Sequence, residues 1–302
     1  MARIAFVFSG QGAQHPGMAE AFYNTSPRAK ELFDTADAIR PGTRDMCFSG
    51  TDADLRRTEN TQPCLFLADL AAALALEEAG ITADAAAGFS LGELPALTYA
   101  GAMDAMTGFS VTAKRGTLMS AACTDETAMH AVLKLSNEAV EQICAAYPHV
   151  TPVNYNAPGQ LVISGDKTEL SAAAADIKAA GGRSVPLAVS GAFHSPYMNE
   201  PANAFGAFLQ TVPVSVPGIP VYANLTAAPY DRAVTDTLSR QMNHPVLWEQ
   251  TVRRMAEDGI TVFIECGVGN TLQKLISKIL PDAQVFGCET PEDNETIKEH
   301  LS

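Results

Sequence analysis

Ala83-Asp84-Ala85-Ala86-Ala87-Gly88-Phe89-Ser90-Leu91-Gly92 decides how this chain is read. Its last five residues fit the G-x-S-x-G pattern of a serine set on a strand-to-helix turn. Alanines are poor strand formers, yet the pattern requires a strand before it, so a short one is expected ahead of Gly88. A helix is expected from about Leu91, with Pro95 in its first turn, where a missing N–H is tolerated. The glycines have a steric purpose. A tight turn needs small residues two positions to each side of its apex. Such a turn lifts the serine Oγ above the sheet and leaves the Leu91 N–H facing any oxyanion that develops there. The pattern alone leaves two readings open, a catalytic elbow and an ordinary glycine-rich turn.

The pattern outside this stretch is α/β. Residues 1–8 read as a buried strand running into the turn Ser9-Gly10-Gln11-Gly12-Ala13-Gln14, and residues 61–79 as a long buried helix. Asp104 reads as the N-cap of a helix over 105–121 that carries Lys114 and Arg115. Residues 129–189 change rhythm. Strand-like runs at 129–135, 150–156, 160–164 and 183–189 alternate with helices at about 136–146 and 168–180. That βαββαβ order predicts a ferredoxin-like unit. The larger α/β pattern then resumes, with strands at 219–224 and 260–265 and helices at 245–257, starting on Pro245, and 271–279. The polar tail 289–302 is expected to fray or pack loosely. The predicted division is a core of 1–125 and 192–302 around an insert of 126–191.

Composition narrows the function. The chain has 302 residues, 47% of them hydrophobic and 18% charged, which suits a large folded core. A net charge of −14 argues against nucleic acid and anionic membrane as main partners. No run reaches the roughly 18 apolar residues of a membrane span, and the N-terminal apolar run is too short for a secretory signal. The apolar run from Cys64 to Ala79 is interrupted by Asp69 and by Glu77-Glu78. None of the six cysteines forms a C-x-x-C pair or stands at metal-ligand spacing with a histidine. The expectation is free thiols in a reducing cytosol and no metal.

A serine hydroxyl needs a base. Of the six histidines, His300 sits in the tail and His130 and His149 in the insert; His15 and His244 are loop candidates. His194 lies where the chain returns from the insert, a natural cleft wall, and is the preferred base. Arg115, mid-helix among small and apolar residues, is a candidate for holding an anionic substrate; a solvated helix residue is the other reading.

Four stretches together resemble the malonyl-CoA:acyl carrier protein transacylase family. They are Phe8-Ser9-Gly10-Gln11-Gly12-Ala13-Gln14, Gly88-Phe89-Ser90-Leu91-Gly92-Glu93, Lys114-Arg115-Gly116 and Ser190-Gly191-Ala192-Phe193-His194-Ser195. Similarity continues through 152–160, 222–226 and 265–269, in family order over essentially the whole chain. The resemblance implies an α/β-hydrolase-like core with a ferredoxin-like insert. It implies a dyad of Ser90 and His194, an oxyanion hole of the Gln11 and Leu91 N–H groups, and Arg115 on the malonyl carboxylate. It further implies ping-pong transfer from malonyl-CoA through a malonyl-Ser90 ester to the phosphopantetheine thiol of acyl carrier protein. No cofactor is implied, and a cytoplasmic monomer is the simplest expectation.

Two positions depart from the family pattern. The carbonyl that orients the family histidine is assigned to Leu247, in Asn243-His244-Pro245-Val246-Leu247-Trp248, where the family has glutamine. The family also carries histidine before the serine, where this chain has Phe89. Phenylalanine donates no hydrogen bond, so Phe89 either alters acyl choice or only packs the wall. Two other functions stay open. A serine esterase or thioesterase would need an acidic residue between serine and histidine, and Asp104 and Asp166 fall there. A non-catalytic carrier-binding relative would form no adduct on Ser90.

Overall fold

Two sheets organise the chain. The computed structural model describes residues 2–189 and 191–301, so Ser190 of the motif before His194 lies outside the described residues. In chain order the strands are β1 Ile4–Phe8, β2 Ala85–Gly88, β3 Thr127–Leu133, β4 Val150–Ala157, β5 Gln160–Asp166, β6 Arg183–Pro186, β7 Val221–Tyr222, β8 Val262–Cys266 and β9 Gln284–Cys288. The first sheet runs β7-β2-β1-β8-β9 and is parallel at every pairing.

Strand β1 shows why this sheet is central. Phe6 and Phe8 face a core that includes Phe66 and Leu70 of the helix Thr58–Glu78. Ala5 and Val7 face the opposite core, with Trp248, Val252 and Met255 of the helix Trp248–Glu257. Alternate side chains thus enter two different layers, as the strand period of two requires. The expected alanine strand is β2, and all four of its residues are buried. Small side chains let helices close over both faces, and that packing overrides weak strand propensity.

The second sheet runs β4-β5-β3-β6 and is antiparallel. Its helices, Asn137–Cys144 and Lys167–Ala179, are N-capped by Ser136 and Asp166. It has its own core, including Val132, Leu161, Ile163, Leu170 and Ile177. The unit is stitched to the first sheet's layers by backbone. The Tyr155 N–H donates to the Val246 carbonyl at 2.9 Å, and the Val246 N–H donates to Val153 at 2.8 Å.

That stitch corrects one expectation. Pro245 does not start a helix, because residues around Val246 are extended against β4 and the helix begins at Trp248. The tail is a second correction. It forms the helix Pro291–Leu301, which buries Ile297. Its entry is fixed by the Asp293 carboxylate, which accepts the Glu289 and Thr290 N–H groups. Among the described residues, no helix is long and apolar enough to cross a membrane, and no cluster could hold a metal ion.

Candidate active site

The elbow is packed as tightly as its glycines suggest. A Cβ on Gly88 would lie 1.9 Å from the Gly92 carbonyl group, and one on Gly92 would lie 2.1 Å from the Phe8 oxygen. Ser90 has φ of 52°, in the left-handed region that non-glycine residues avoid. Asn224 pins it there. Its Oδ1 accepts the Ser90 N–H at 2.7 Å and its Nδ2 donates to the Gly88 carbonyl at 2.6 Å.

The Ser90 Oγ lies 2.7 Å from His194 Nε2. The other ring nitrogen, Nδ1, is 2.9 Å from the Gln241 carbonyl. A carbonyl only accepts, so Nδ1 carries the proton and Nε2 is left to accept from the serine. This corrects the assignment of Leu247. The Leu247 carbonyl lies at the start of the helix Trp248–Glu257, where the Thr251 N–H and hydroxyl both donate to it. The carbonyl at the histidine comes instead from the short 3-10 turn Gln241–Asn243. Asp104 and Asp166, the acids an esterase-type triad would draw on, both cap helices.

Arg115 is 1% exposed. Its Nη1 donates to Gln62 Oε1 at 2.9 Å, and its Nη2 donates to Gln241 Oε1 at 2.8 Å and to Ser90 Oγ at 3.1 Å. None of these acceptors is a carboxylate, and Nε has no partner among the described residues. Burial lowers the guanidinium pKa to about 10, opposed by the charge of Glu93, so it stays cationic at neutral pH. Burial, and then the charge of Arg115, lowers His194 to about 4, so its ring is neutral there. Glu93 lies beneath. It accepts from the Tyr230 hydroxyl, from Gln241 Nε2 at 2.9 Å and from the Asn224 N–H at 3.3 Å. Burial raises its pKa to about 7.

These groups open into a cavity of about 300 Å³. The parallel-sheet side contributes Gln11, Phe89 and Leu91, and the antiparallel unit contributes Met129, Asn154 and Asn156 among others. Neither the Gln11 nor the Leu91 N–H has an acceptor among the described residues. Phe89 packs edge-on against Trp248, with ring centroids 5.6 Å apart. The other histidines have different partners: Glu289 for His15, Ser184 for His130 and Glu169 for His149. His244 and His300 sit against the carbonyls of Arg240 and Thr296. Gln241, Gln62 and Asn224 were given no role by the sequence. Gln62 follows Thr58-Glu59-Asn60-Thr61 in the polar start of its helix, so neither it nor Gln241 carried a distinctive local signal.

The family described as "Acyl transferase domain" matches residues 5–290. The malonyl CoA-acyl carrier protein transacylase of Bacillus subtilis is 35% identical over 312 residues, covering 99% of this chain and 98% of that protein. The chain belongs to the malonyl CoA-acyl carrier protein transacylase family. Its mixed α/β fold is that of solved transacylases. The Clostridium perfringens structure superposes with a TM-score of 0.96 at 32% identity, covering 99% of this chain and 97% of that one. A malonyl-transacylase solved with its type II PKS acyl-carrier protein superposes at 0.94 with 31% identity, covering 99% and 100%. The chain is therefore an acyltransferase.

Proposed function

We propose that this acyltransferase moves a malonyl group from malonyl-CoA to the phosphopantetheine thiol of an acyl carrier protein. The observation that carries the reading is Arg115, a buried cation held by neutral acceptors 3.1 Å from Ser90 Oγ. An acyl group on that oxygen places its free carboxylate within reach of a planar, bidentate donor.

The Ser90–His194 contact supports the following steps. His194 Nε2 takes the Ser90 proton as Oγ attacks the thioester carbonyl. The C–S bond breaks, and the thiolate of coenzyme A leaves with that proton. The carrier thiol then attacks the malonyl-Ser90 ester, giving its proton to His194, which returns it to Ser90. Both tetrahedral oxyanions accept from the Gln11 and Leu91 N–H groups. Each such donor is worth about 3–4 kcal/mol. No cofactor takes part.

The partner reading is supported by the carrier-bound relative. An acidic carrier needs a local basic surface on a chain of net charge −14. Lys274 and Lys278 are exposed on the helix Thr271–Ile279, whose first turn lines the cavity. Arg253 and Arg254 are engaged by Glu249 and Asp258. Reversing both lysines to glutamate should raise KM for the carrier; an unchanged KM removes this docking face. The same reading takes 1–125 and 192–302 as an α/β-hydrolase-like core and 126–191 as a ferredoxin-like insert, on the strength of the β4-β5-β3-β6 order. A cytoplasmic monomer completes it.

Intact-mass analysis after exposure to malonyl-, methylmalonyl- and acetyl-CoA tests the proposal, with Ser90→Ala as control. A malonyl adduct that discharges onto a holo-carrier is expected. No adduct, or release of free malonate in place of carrier product, overturns it.

A further inference from the structure

We infer that Asp69 is a positioning residue for acyl transfer: its buried carboxyl holds the Ser9–Gln11 turn, and with it the Gln11 N–H, against the Ser90 elbow. The inference rests on the proposed oxyanion role of Gln11.

Asp69 is fully buried in the helix Thr58–Glu78, and the buried residues around it from Leu65 to Leu76 are all apolar. No arginine or lysine pairs with it among the described residues, so its burial is offset by hydrogen bonds alone. Its partner is Ser9, whose hydroxyl donates to Oδ1 at 3.0 Å, with Oδ2 at 3.3 Å. The turn is wedged from the other side. The Ser9 oxygen is 2.6 Å from where a Gly92 Cβ would sit, and a Gly10 Cβ would lie 2.8 Å from the Phe89 oxygen. The carboxyl also reaches the turn after β8. Gly267 has φ of 100°, and a Cβ there would be 1.9 Å from Asp69 Oδ1. Burial pushes the Asp69 pKa well up, opposed by the Ser9 hydroxyl and by the Val268 and Ser9 N–H groups, with the charge of Glu265 adding to the rise.

The same helix face serves the rest of the site. Residues 58, 62 and 69 recur at helical spacing. Thr58 Oγ1 accepts from Gln11 Nε2 at 3.3 Å, and Gln62 accepts from Arg115. One polar stripe on this helix therefore steadies the turn that carries the oxyanion donor and the guanidinium together.

The test is the rate of Ser90 acylation by malonyl-CoA, followed by quenched intact mass, with steady-state kcat and KM. Ser9→Ala and Asp69→Leu should slow acylation about tenfold or more, with KM for malonyl-CoA within about twofold of wild type. Asp69→Asn keeps an acceptor for the Ser9 hydroxyl and should recover to within about threefold. Wild-type acylation rates in Ser9→Ala, a loss confined to KM, or Asp69→Asn as slow as Asp69→Leu would each overturn the inference. If Asp69→Leu does not fold, Ser9→Ala decides. Absence of any adduct on wild-type Ser90 is a failure of the proposed function instead, and is read separately.

Discussion

The two walls of the cavity are built on opposite principles. On the parallel-sheet side, most side-chain polar atoms near Ser90 are bonded to protein; Arg115 Nε and the Gln11 and Leu91 N–H groups are the exceptions among the described residues. Gln241 alone links His194, Arg115, Glu93 and the Ser90 carbonyl. On the antiparallel side, Asn154 and Asn156 line the same cavity with buried Oδ1 atoms that lack a partner among the described residues. A side chain already bonded on all sides holds a geometry, whereas one left unbonded at high burial is suited to a ligand's donors. On the proposed reading the first wall is machinery and the second a recognition surface, and substitutions on the two should register in different kinetic constants.

The sharpest separation should come from Arg115→Ala. It should cost about 10- to 150-fold in selection of malonyl- over acetyl-CoA, the worth of one charge-assisted hydrogen bond of about 1.5–3 kcal/mol. Equal losses for both substrates would mean the guanidinium only supports the wall. The pH dependence tests the same side. His194 must be neutral to act as a base, and its pKa lies near 4 through burial and Arg115. The acid limb of the acylation rate should therefore inflect near 4, not at the ordinary histidine value of about 6.5. An inflection at 6.5 would show that the ring is solvated when it works. Stability carries the matching sign. The unfolded histidine binds a proton that the folded one refuses, so this site loses stability as pH falls from about 6.5 towards 4.

The opposite wall should respond differently. Asn156→Ala should raise KM for the acyl donor by about 2- to 12-fold, one neutral hydrogen bond, with kcat and unfolding temperature little changed. A loss of kcat would erase the distinction between the walls. Phe89→His should have the smallest effect, a shift of about threefold in the malonyl-to-acetyl ratio, since the new ring adds at most one neutral hydrogen bond beside Trp248. An unchanged acyl profile would leave Phe89 as packing alone.

What could be read in advance follows the same division between side chains and backbone. That Ser90, His194 and Arg115 would meet was legible because their chemistry is in the side chain and their sequence contexts are distinctive. Asp104 and Ser136 were legible as caps, since a short side chain that accepts a backbone N–H has a positional signature. Gln241 was not, because its contribution to His194 is a carbonyl that every residue possesses, delivered by a turn that no local pattern ties to the histidine. Leu247 was chosen for its place in a motif, yet helix capping had already claimed its oxygen. Strand β9 and the helix Pro291–Leu301 were missed for another reason. β9 is only five residues long and the helix is largely polar, and they are held by contacts with β8 and with the helix Thr58–Glu78 that no local pattern encodes.

Ser90 and His194 share one further property: both sit at positive φ, 52° and 60°. Each costs the fold about 1–3 kcal/mol relative to a residue at ease there. Natural selection for catalysis therefore works against selection for durability at the same two positions. A duplicated copy relieved of its chemistry would be expected to relax first at the elbow, with glycine at 90 raising the melting point as it ends the reaction. Loss of function in this lineage would then look, to a calorimeter, like improvement.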